Sequence, residues 1–484
     1  MNFRRQPLRL MMAGATVPLC VDLDGTLTHS DILIESFLVL IKKNPLYAFL
    51  CVAWILRGKG YLKAQIAARV AIDVSLLPYN ARLVDFLRHE RSSGRDLYLC
   101  TAGDHRYADQ VASHFGFFKG VMASDASHNL SGVHKAQALS SAFGVQGFDY
   151  CGNARADIPV WKLARQAIVV GSKSIEAAAK KENQTTVFFE ESRPFFRLAL
   201  REMRVYQWVK NLLIFVPLLA SHRFTQVGTL IDEGLAFLAF CLCASSVYLL
   251  NDMLDLDADR RHSRKRARPF ASGELPLLAG IILMLVLLSV SASLAVMLTP
   301  AFQLVLTGYV AMTLAYSFRL KRMMLIDVFV LAALYTARIV AGGAAADIVL
   351  SDWLIMFSVM IFLSLAMVKR YTELDKVRRE GKIAAAGRGY LADDMSIVRS
   401  FGTAAGYVAV LVLALYMHSD GVPVLYQHPH WLWVLFALLL YWISRMWMVA
   451  FRGQMNDDPI VFAIKNRGSL FIILLCVLTV VVAT

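Results

Sequence analysis

The chain has 484 residues, 57% of them hydrophobic, and a formal net charge of +14. Its mean hydropathy of +0.52 excludes a wholly soluble protein, and its length admits more than one domain. Lys and Arg cluster at the ends of apolar spans, where topology and anionic lipid account for them without nucleic acid, and seven irregularly spaced cysteines exclude a disulfide framework or a zinc site.

In chain order, the apolar residues separate residues 1–204, which read as a soluble α/β domain, from residues 205–484, which read as a membrane domain. The start, MNFRRQPLRLMMAGATVPLCVDLDGT, is basic and then briefly apolar. Pro18 breaks that run and Asp22 ends it, so a cleaved signal peptide is not expected. Residues 17–21 predict a buried strand ending in Asp22 and Asp24. Two acids at the carboxyl end of a strand stand where open α/β sheets place their active sites. Residues 97–100 predict a second strand, ending in Thr101, and Lys135 follows in GVHKAQAL. A third strand near residues 148–151 leads to Gly152, Asn153 and Asp157, and residues 167–170 predict a fourth. Residues 28–94 read as mostly helical. Within them, LYAFLCVAWIL at residues 46–56 is too short to span a bilayer. Its plain reading is a buried cap helix, and its sharper one is a cap leaning on the membrane surface.

The motif DLDGT, with Thr101, Lys135 and the segment 152–157 following in order, resembles the haloacid dehalogenase superfamily of phosphotransferases. The resemblance implies a Rossmann-like domain in which residues 28–94 cap the active site. It makes Asp22 the nucleophile that forms an aspartyl-phosphate and Asp24 the general acid/base. Thr101 and Lys135 hold the phosphoryl oxygens, and Asp22, Asp24, Asn153 and Asp157 hold Mg²⁺. A carboxylate attacking phosphorus while cations neutralise its oxygens is sound chemistry. Asn153 stands where that family usually has Asp, so the site loses one negative charge.

Nine apolar segments of roughly spanning length follow: 205–222, 230–250, 276–298, 301–318, 325–346, 353–370, 401–418, 430–451 and 468–484. The first is weakest, because it contains Lys210, Asn211 and Pro217. Alternate loops carry nearly all the Lys and Arg, which places them, and residues 1–204 with them, in the cytoplasm beneath the inner membrane. The richest is NDMLDLDADRRHSRKRARPFASG at residues 251–273. Asp252, Asp255 and Asp259 are spaced i, i+3, i+7 and share one face of a helix. Three such carboxylates call for a cation, and Mg²⁺ suits hard oxygen ligands and phosphate. The basic run after them suits phosphate charge. A solvated loop would explain the bases but not the acid spacing. Polar residues end the neighbouring spans as well: Lys210, Lys321, Arg338, Lys369, Arg370, Asp457 and Asp458.

Residues 200–484 resemble the UbiA superfamily of intramembrane prenyltransferases, through NDMLDLDADR followed by RP and SG. QWVKN, YSFRLKR, KRYTEL and DDPIVFA resemble its decaprenyl-phosphate phosphoribosyltransferase branch. The resemblance implies a polytopic bundle of nine helices, with Mg²⁺ held by Asn251, Asp252, Asp255 and Asp259. Lys210, Arg260, Arg266, Lys321, Lys369 and Arg370 bind phosphate. The substrates it implies are 5-phosphoribosyl 1-diphosphate and a polyprenyl phosphate, and the fused domain then removes the 5-phosphate. A prenyltransferase using an isoprenyl diphosphate and an aromatic or isoprenoid acceptor, beside a regulatory or inactive soluble domain, is the alternative. It calls for a second DxxxD after the sixth span, where this chain reads YTELD. A transporter is a third reading, disfavoured because its acids belong near the midplane. Homo-oligomerisation stays open.

Overall fold

The computed structural model describes residues 17–126, 128–183, 186–191, 194–223, 225–384, 387–419, 422–455 and 458–484. Most of the N-terminal stretch discussed above, and Asp457, lie outside the described residues. The chain packs as two compact units. One is Met1–Met203 together with Leu249–Leu283, and the other is Arg204–Tyr248 together with Met284–Thr484. The aspartate-rich segment 251–273 therefore belongs to the packing of the first unit.

The first unit is built on a parallel six-stranded sheet: β1 (Leu19–Val21), β2 (Leu97–Asp104), β3 (Gly120–Ser124), β4 (Asp149–Gly152), β5 (Gln166–Gly171) and β6 (Thr186–Glu190). Their order is β3-β2-β1-β4-β5-β6. Every residue of β1 and β4 is buried, as parallel strands covered on both faces require. β1 pairs with β2 on one side (Leu19 opposite Leu97) and β4 on the other (Val21 opposite Cys151). The winding direction reverses there, so a crevice opens beyond the carboxyl ends of β1 and β4. The four strands anticipated from sequence are present; β3 and β6 were not anticipated.

Between β1 and β2 run α1 (Ile32–Lys43), α2 (Tyr47–Leu56), α3 (Lys59–Ala67) and α4 (Ala81–Ser92). Asp31 caps α1, its side chain accepting from Ile34 N, and Asn80 caps α4 through Leu83 N. α2 is not the buried helix of the plain reading. Only Cys51 and Trp54 are buried in it, while Phe49 and Leu56 are 76% and 84% exposed and Leu50, Val52 and Ile55 are exposed as well. The remaining connections are α5 (His105–Phe115), α6 (Val133–Phe143), α7 (Ile158–Leu163), α8 (Lys173–Glu182) and α9 (Phe195–Glu202). Under the sheet, Asp149 is wholly buried and paired with both Arg95 and Arg165. Arg95 also bonds Glu90 at 2.7 Å.

The second unit is helical. Residues 205–215 form a 3-10 helix that runs into the short α10 (Val216–Ala220). Then come α11 (Val227–Leu254), α12 (Leu256–Arg261, in the first unit), α13 (Leu277–Val296), α14 (Pro300–Phe318), α15 (Ile326–Ala345), α16 (Asp352–Arg379), α17 (Met395–Tyr416), α18 (Val422–Leu425), α19 (Leu432–Phe451), α20 (Pro459–Lys465) and α21 (Arg467–Ala483). Among the described residues seven of these are long and apolar enough to cross a bilayer: α11, α13 to α17, and α19. α20 and α21, bent by 82° at their junction, make an eighth if counted as one span. This is an integral membrane protein. The first of the nine anticipated spans is instead the 3-10 and α10 pair, whose buried Lys210 and Asn211 interrupt the apolar run. The core gathers Phe362, Tyr371, Trp442, Ile443 and Met446 from α16 and α19, while Phe471, Leu474 and Leu478 of α21 face outward as lipid-facing residues do.

Candidate active sites

The crevice beyond β1 and β4 brings together the first set of anticipated residues. Asp22 follows β1 directly. Lys135, on the first turn of α6, donates to Asp22 Oδ1 at 2.8 Å and to the Tyr150 hydroxyl at 2.9 Å. Tyr150 in turn donates to Asp157 Oδ1 at 2.9 Å. The other Asp157 oxygen accepts the backbone N–H groups of Asn153 and Ala154 at 3.1 and 3.0 Å. Gly152 permits this, because a Cβ there would stand 2.7 Å from Asp157 Oδ2. Gly25 of the DLDGT turn has φ +73°, and the Asn153 side-chain amide occupies the place its Cβ would take. Thr101 is wholly buried within β2, its hydroxyl accepting from Gly103 N at 2.9 Å.

Asp24 accepts from Ile32 N at 2.9 Å and lines a small cavity with Leu33, Lys63, Gly103 and Tyr107. Lys63, reaching over from α3, donates to Ala102 O at 2.6 Å and Asn129 Oδ1 at 2.9 Å. Burial pushes the Asp24 carboxyl up to about 8, with Asp31 adding to it. Burial raises Asp22 too, but Lys135 pulls against it and it reaches only about 6. Burial thus favours the proton on Asp24 more than on Asp22, whose negative charge Lys135 supports. That is the division a nucleophile and a general acid require.

The second set lies on residues 251–273. Asn251 and Asp252 occupy the last turn of α11, and the helix is interrupted at Asp255 before α12 begins. The single uninterrupted face expected for Asp252, Asp255 and Asp259 is therefore broken. Asp252 and Asp259 are buried and share one nitrogen of Arg268, at 2.9 and 2.5 Å. Asp255 accepts from Lys42 Nζ at 2.8 Å. Arg260, expected to grip phosphate, makes two bonds to Glu35 at 2.9 and 2.5 Å and a third to Ala271 O. Arg266 is exposed. Among the described residues no three His, Cys, Asp or Glu side chains converge closely enough to hold a metal ion alone. Mg²⁺ is commonly held by only one or two carboxylates with phosphate and water completing its shell. Two hard-oxygen carboxylates meeting on one cationic nitrogen fit that requirement.

The remaining residues lie in the second unit. Lys210 is buried, ion-paired with Asp458, and donates to Gln207 Oε1 at 2.8 Å. Lys369 is half-buried on α16, close enough to Asp458 to act on its charge. Arg370 is fully buried and committed to Asp327, at 2.5 Å, and to Glu373. In this structure both acids offset its charge. Lys321 sits half-buried on the turn Leu320–Arg322. Arg338 is buried and donates to Asn211 Oδ1 at 2.8 Å and the Tyr309 hydroxyl at 3.1 Å.

Tyr150, Lys63, Lys42 and Glu35 were not anticipated. Tyr150 reads from sequence as one more core aromatic on a strand, and no spacing signal links Lys42 to an aspartate 213 positions away.

Residues 214–481 match the model of the UbiA prenyltransferase family. The uncharacterized protein y4nM of Sinorhizobium fredii is 38% identical over 463 residues, 94% of this chain and 89% of its own. The nodulation protein NoeC of Azorhizobium caulinodans is 39% identical over 274 residues, 56% of this chain and 88% of its own. The decaprenyl-phosphate phosphoribosyltransferase of Mycolicibacterium smegmatis is 32% identical over 278 residues, 55% of this chain and 86% of its own.

Proposed function

The chain belongs to the UbiA prenyltransferase family, and from that premise we propose that it transfers 5-phosphoribose from 5-phosphoribosyl 1-diphosphate to a polyprenyl phosphate. The observation that carries the reading is the meeting of Asp252 and Asp259 on one cationic nitrogen, directly before a run of Arg and Lys. Asp252 and Asp259, with Asn251 and Asp255 beside them, would hold Mg²⁺, which when bound neutralises the departing diphosphate. Arg266, Lys265 and Arg264, all exposed, suit the remaining phosphate charge. The bond from C1 of ribose to the diphosphate oxygen breaks, and a lipid phosphate oxygen bonds to C1. The chain's own part is positioning and charge neutralisation. The name of the Mycolicibacterium smegmatis relative and the missing second DxxxD favour phosphoribose over an isoprenyl group.

The product, polyprenyl-phosphoryl-5-phosphoribose, still carries a phosphate monoester. In this reading the first unit hydrolyses it. Asp22 attacks phosphorus, Asp24 protonates the departing ribose oxygen, and Lys135 and Thr101 hold the phosphoryl oxygens, with Mg²⁺ held by Asp22, Asp24, Asn153 and Asp157. Water then releases phosphate from Asp22. Loop charge supports a multi-pass inner-membrane protein with this unit in the cytoplasm, where both substrates' polar ends are found. The exposed apolar face of α2 supports a cap resting on the membrane surface.

The test is to incubate membranes holding the full chain with ribose-labelled 5-phosphoribosyl 1-diphosphate and polyprenyl phosphate, with and without Mg²⁺. Label should move into the lipid extract only when lipid phosphate and Mg²⁺ are both present. Absence of lipid-extractable label, or equal labelling after chelation, would overturn the transferase reading.

A further inference from the structure

α1 connects the two acidic centres. At its first residue, Ile32 N bonds Asp24. Glu35, on the same turn, is buried and takes two bonds from the Arg260 guanidinium. Two turns further on, Lys42 Nζ donates to Leu254 O at 2.7 Å and to Asp255 Oδ1 at 2.8 Å. Glu35 and Lys42 are seven residues apart, so they lie along one face of the helix. Their side-chain partners are Asp255, at the interruption between α11 and α12, and Arg260, beyond it.

The chemistry separates this from an incidental surface contact. Exposed ion pairs contribute little. Here both side chains of the Glu35–Arg260 pair are at most 5% exposed, and the geometry is the two-bond fork that Arg forms best with a carboxylate. Lys42 sits on the last carbonyl of α11, where a cation offsets the negative end of the helix. A cation bonded to one carboxylate oxygen also fixes the direction of the other.

We propose that Glu35 and Lys42 are positioning residues of the transferase, contributed by the N-terminal half of the chain. Lys42 orients Asp255 and Glu35 anchors Arg260, so the cap helix holds the diphosphate-binding segment in its working shape. The N-terminal half is thus part of the transferase and not merely a second enzyme joined to it. This rests on the transferase reading above and adds the source of the segment's order.

The test uses full-length protein carrying Asp22→Asn, to disable metal binding at the first centre. Mn²⁺ binding is followed by electron paramagnetic resonance without substrates, and phosphoribosyl transfer is assayed in parallel. Lys42→Met should weaken Mn²⁺ binding about tenfold, as loss of a ligand-orienting partner does, and should lower kcat. Lys42→Arg should restore both. Lys43→Met, whose ammonium bonds Arg69 O on the cap, should change neither. Should Lys42→Met fail to fold, Glu35→Gln decides, with a shift in the same direction. Unchanged Mn²⁺ binding in Lys42→Met and Glu35→Gln would overturn the proposal. So would tighter binding in Lys42→Met, which would make Lys42 a competitor of the metal. A wild type that transfers no phosphoribose would sink the transferase reading instead, and the Mn²⁺ titration would still decide the role of α1.

Discussion

The two acidic centres share one packing unit and are held by opposite means. Around Asp22 the bonded partners Lys135, Tyr150 and Asp157 stand on strand ends or the turns and helix starts beside them. The parallel register of β1 and β4 brings them together without help from elsewhere. Around Asp255 and Arg260 the partners come from 213 and 225 positions away. A centre at the carboxyl ends of central strands is ordered largely by the sheet itself. A centre on a helix end, where the helix also breaks, is ordered only when something docks against it.

The sharpest way to break this comparison is to remove one carboxylate from each centre. Asp252→Asn should reduce phosphoribosyl transfer on the order of 10²–10³-fold, the usual cost of losing one group that stabilises developing charge. Asp22→Asn should leave transfer running and cause the 5-phosphorylated lipid to accumulate, where wild type yields the dephosphorylated ribosyl lipid. Lipid extracts resolved by mass spectrometry read both. Identical lipid profiles from wild type and Asp22→Asn would remove the phosphatase from the scheme.

A second test weighs the foundations of the sheet against an outlying contact. Arg95→Met takes one of two arginines from the wholly buried Asp149, leaving Arg165, and should cost about 1.5–3 kcal/mol, the worth of hydrogen bonds to a charged group. Arg261→Met breaks the exposed pair with Asp73 and should leave stability nearly unchanged. Thermal unfolding of the two variants side by side, with comparable losses, would show that the Asp149 cluster is not the support it looks like. The smallest effect belongs to Asn153. Its amide supplies an oxygen but no charge, so Asn153→Asp should raise the dephosphorylated share of the lipid product by a modest factor. No change would mean that metal charge does not limit hydrolysis.

Much of the first centre was legible because its chemistry is written in short motifs: an acid pair after a buried strand, a Lys at the start of a later helix, a Gly before a turn. β3 and β6 escaped notice because neither GVMAS nor TVFFE is wholly buried, so neither reads as a core strand. The aspartate spacing was legible too, but its setting was not. Helical periodicity says which residues share a face, and it cannot say that the helix stops at Asp255 or that Lys42 meets it there. Arg370 is a related case. At a span end a lone Arg suggests phosphate, and only packing reveals Asp327 opposite it.

The make-up of the first unit bears on how the protein is made. Its first stretch ends at Met203, yet Leu249–Leu283 belong to it as well. About 80 more residues must therefore leave the ribosome before the unit can close, on the order of ten seconds at common rates of synthesis. Through that interval α1 waits with Glu35 and Lys42 unmatched, while α11 has already emerged and begun to partition into lipid. A gene fragment stopped at Met203 would encode a permanently unfinished body, exposing the ground on which segment 251–273 is meant to settle.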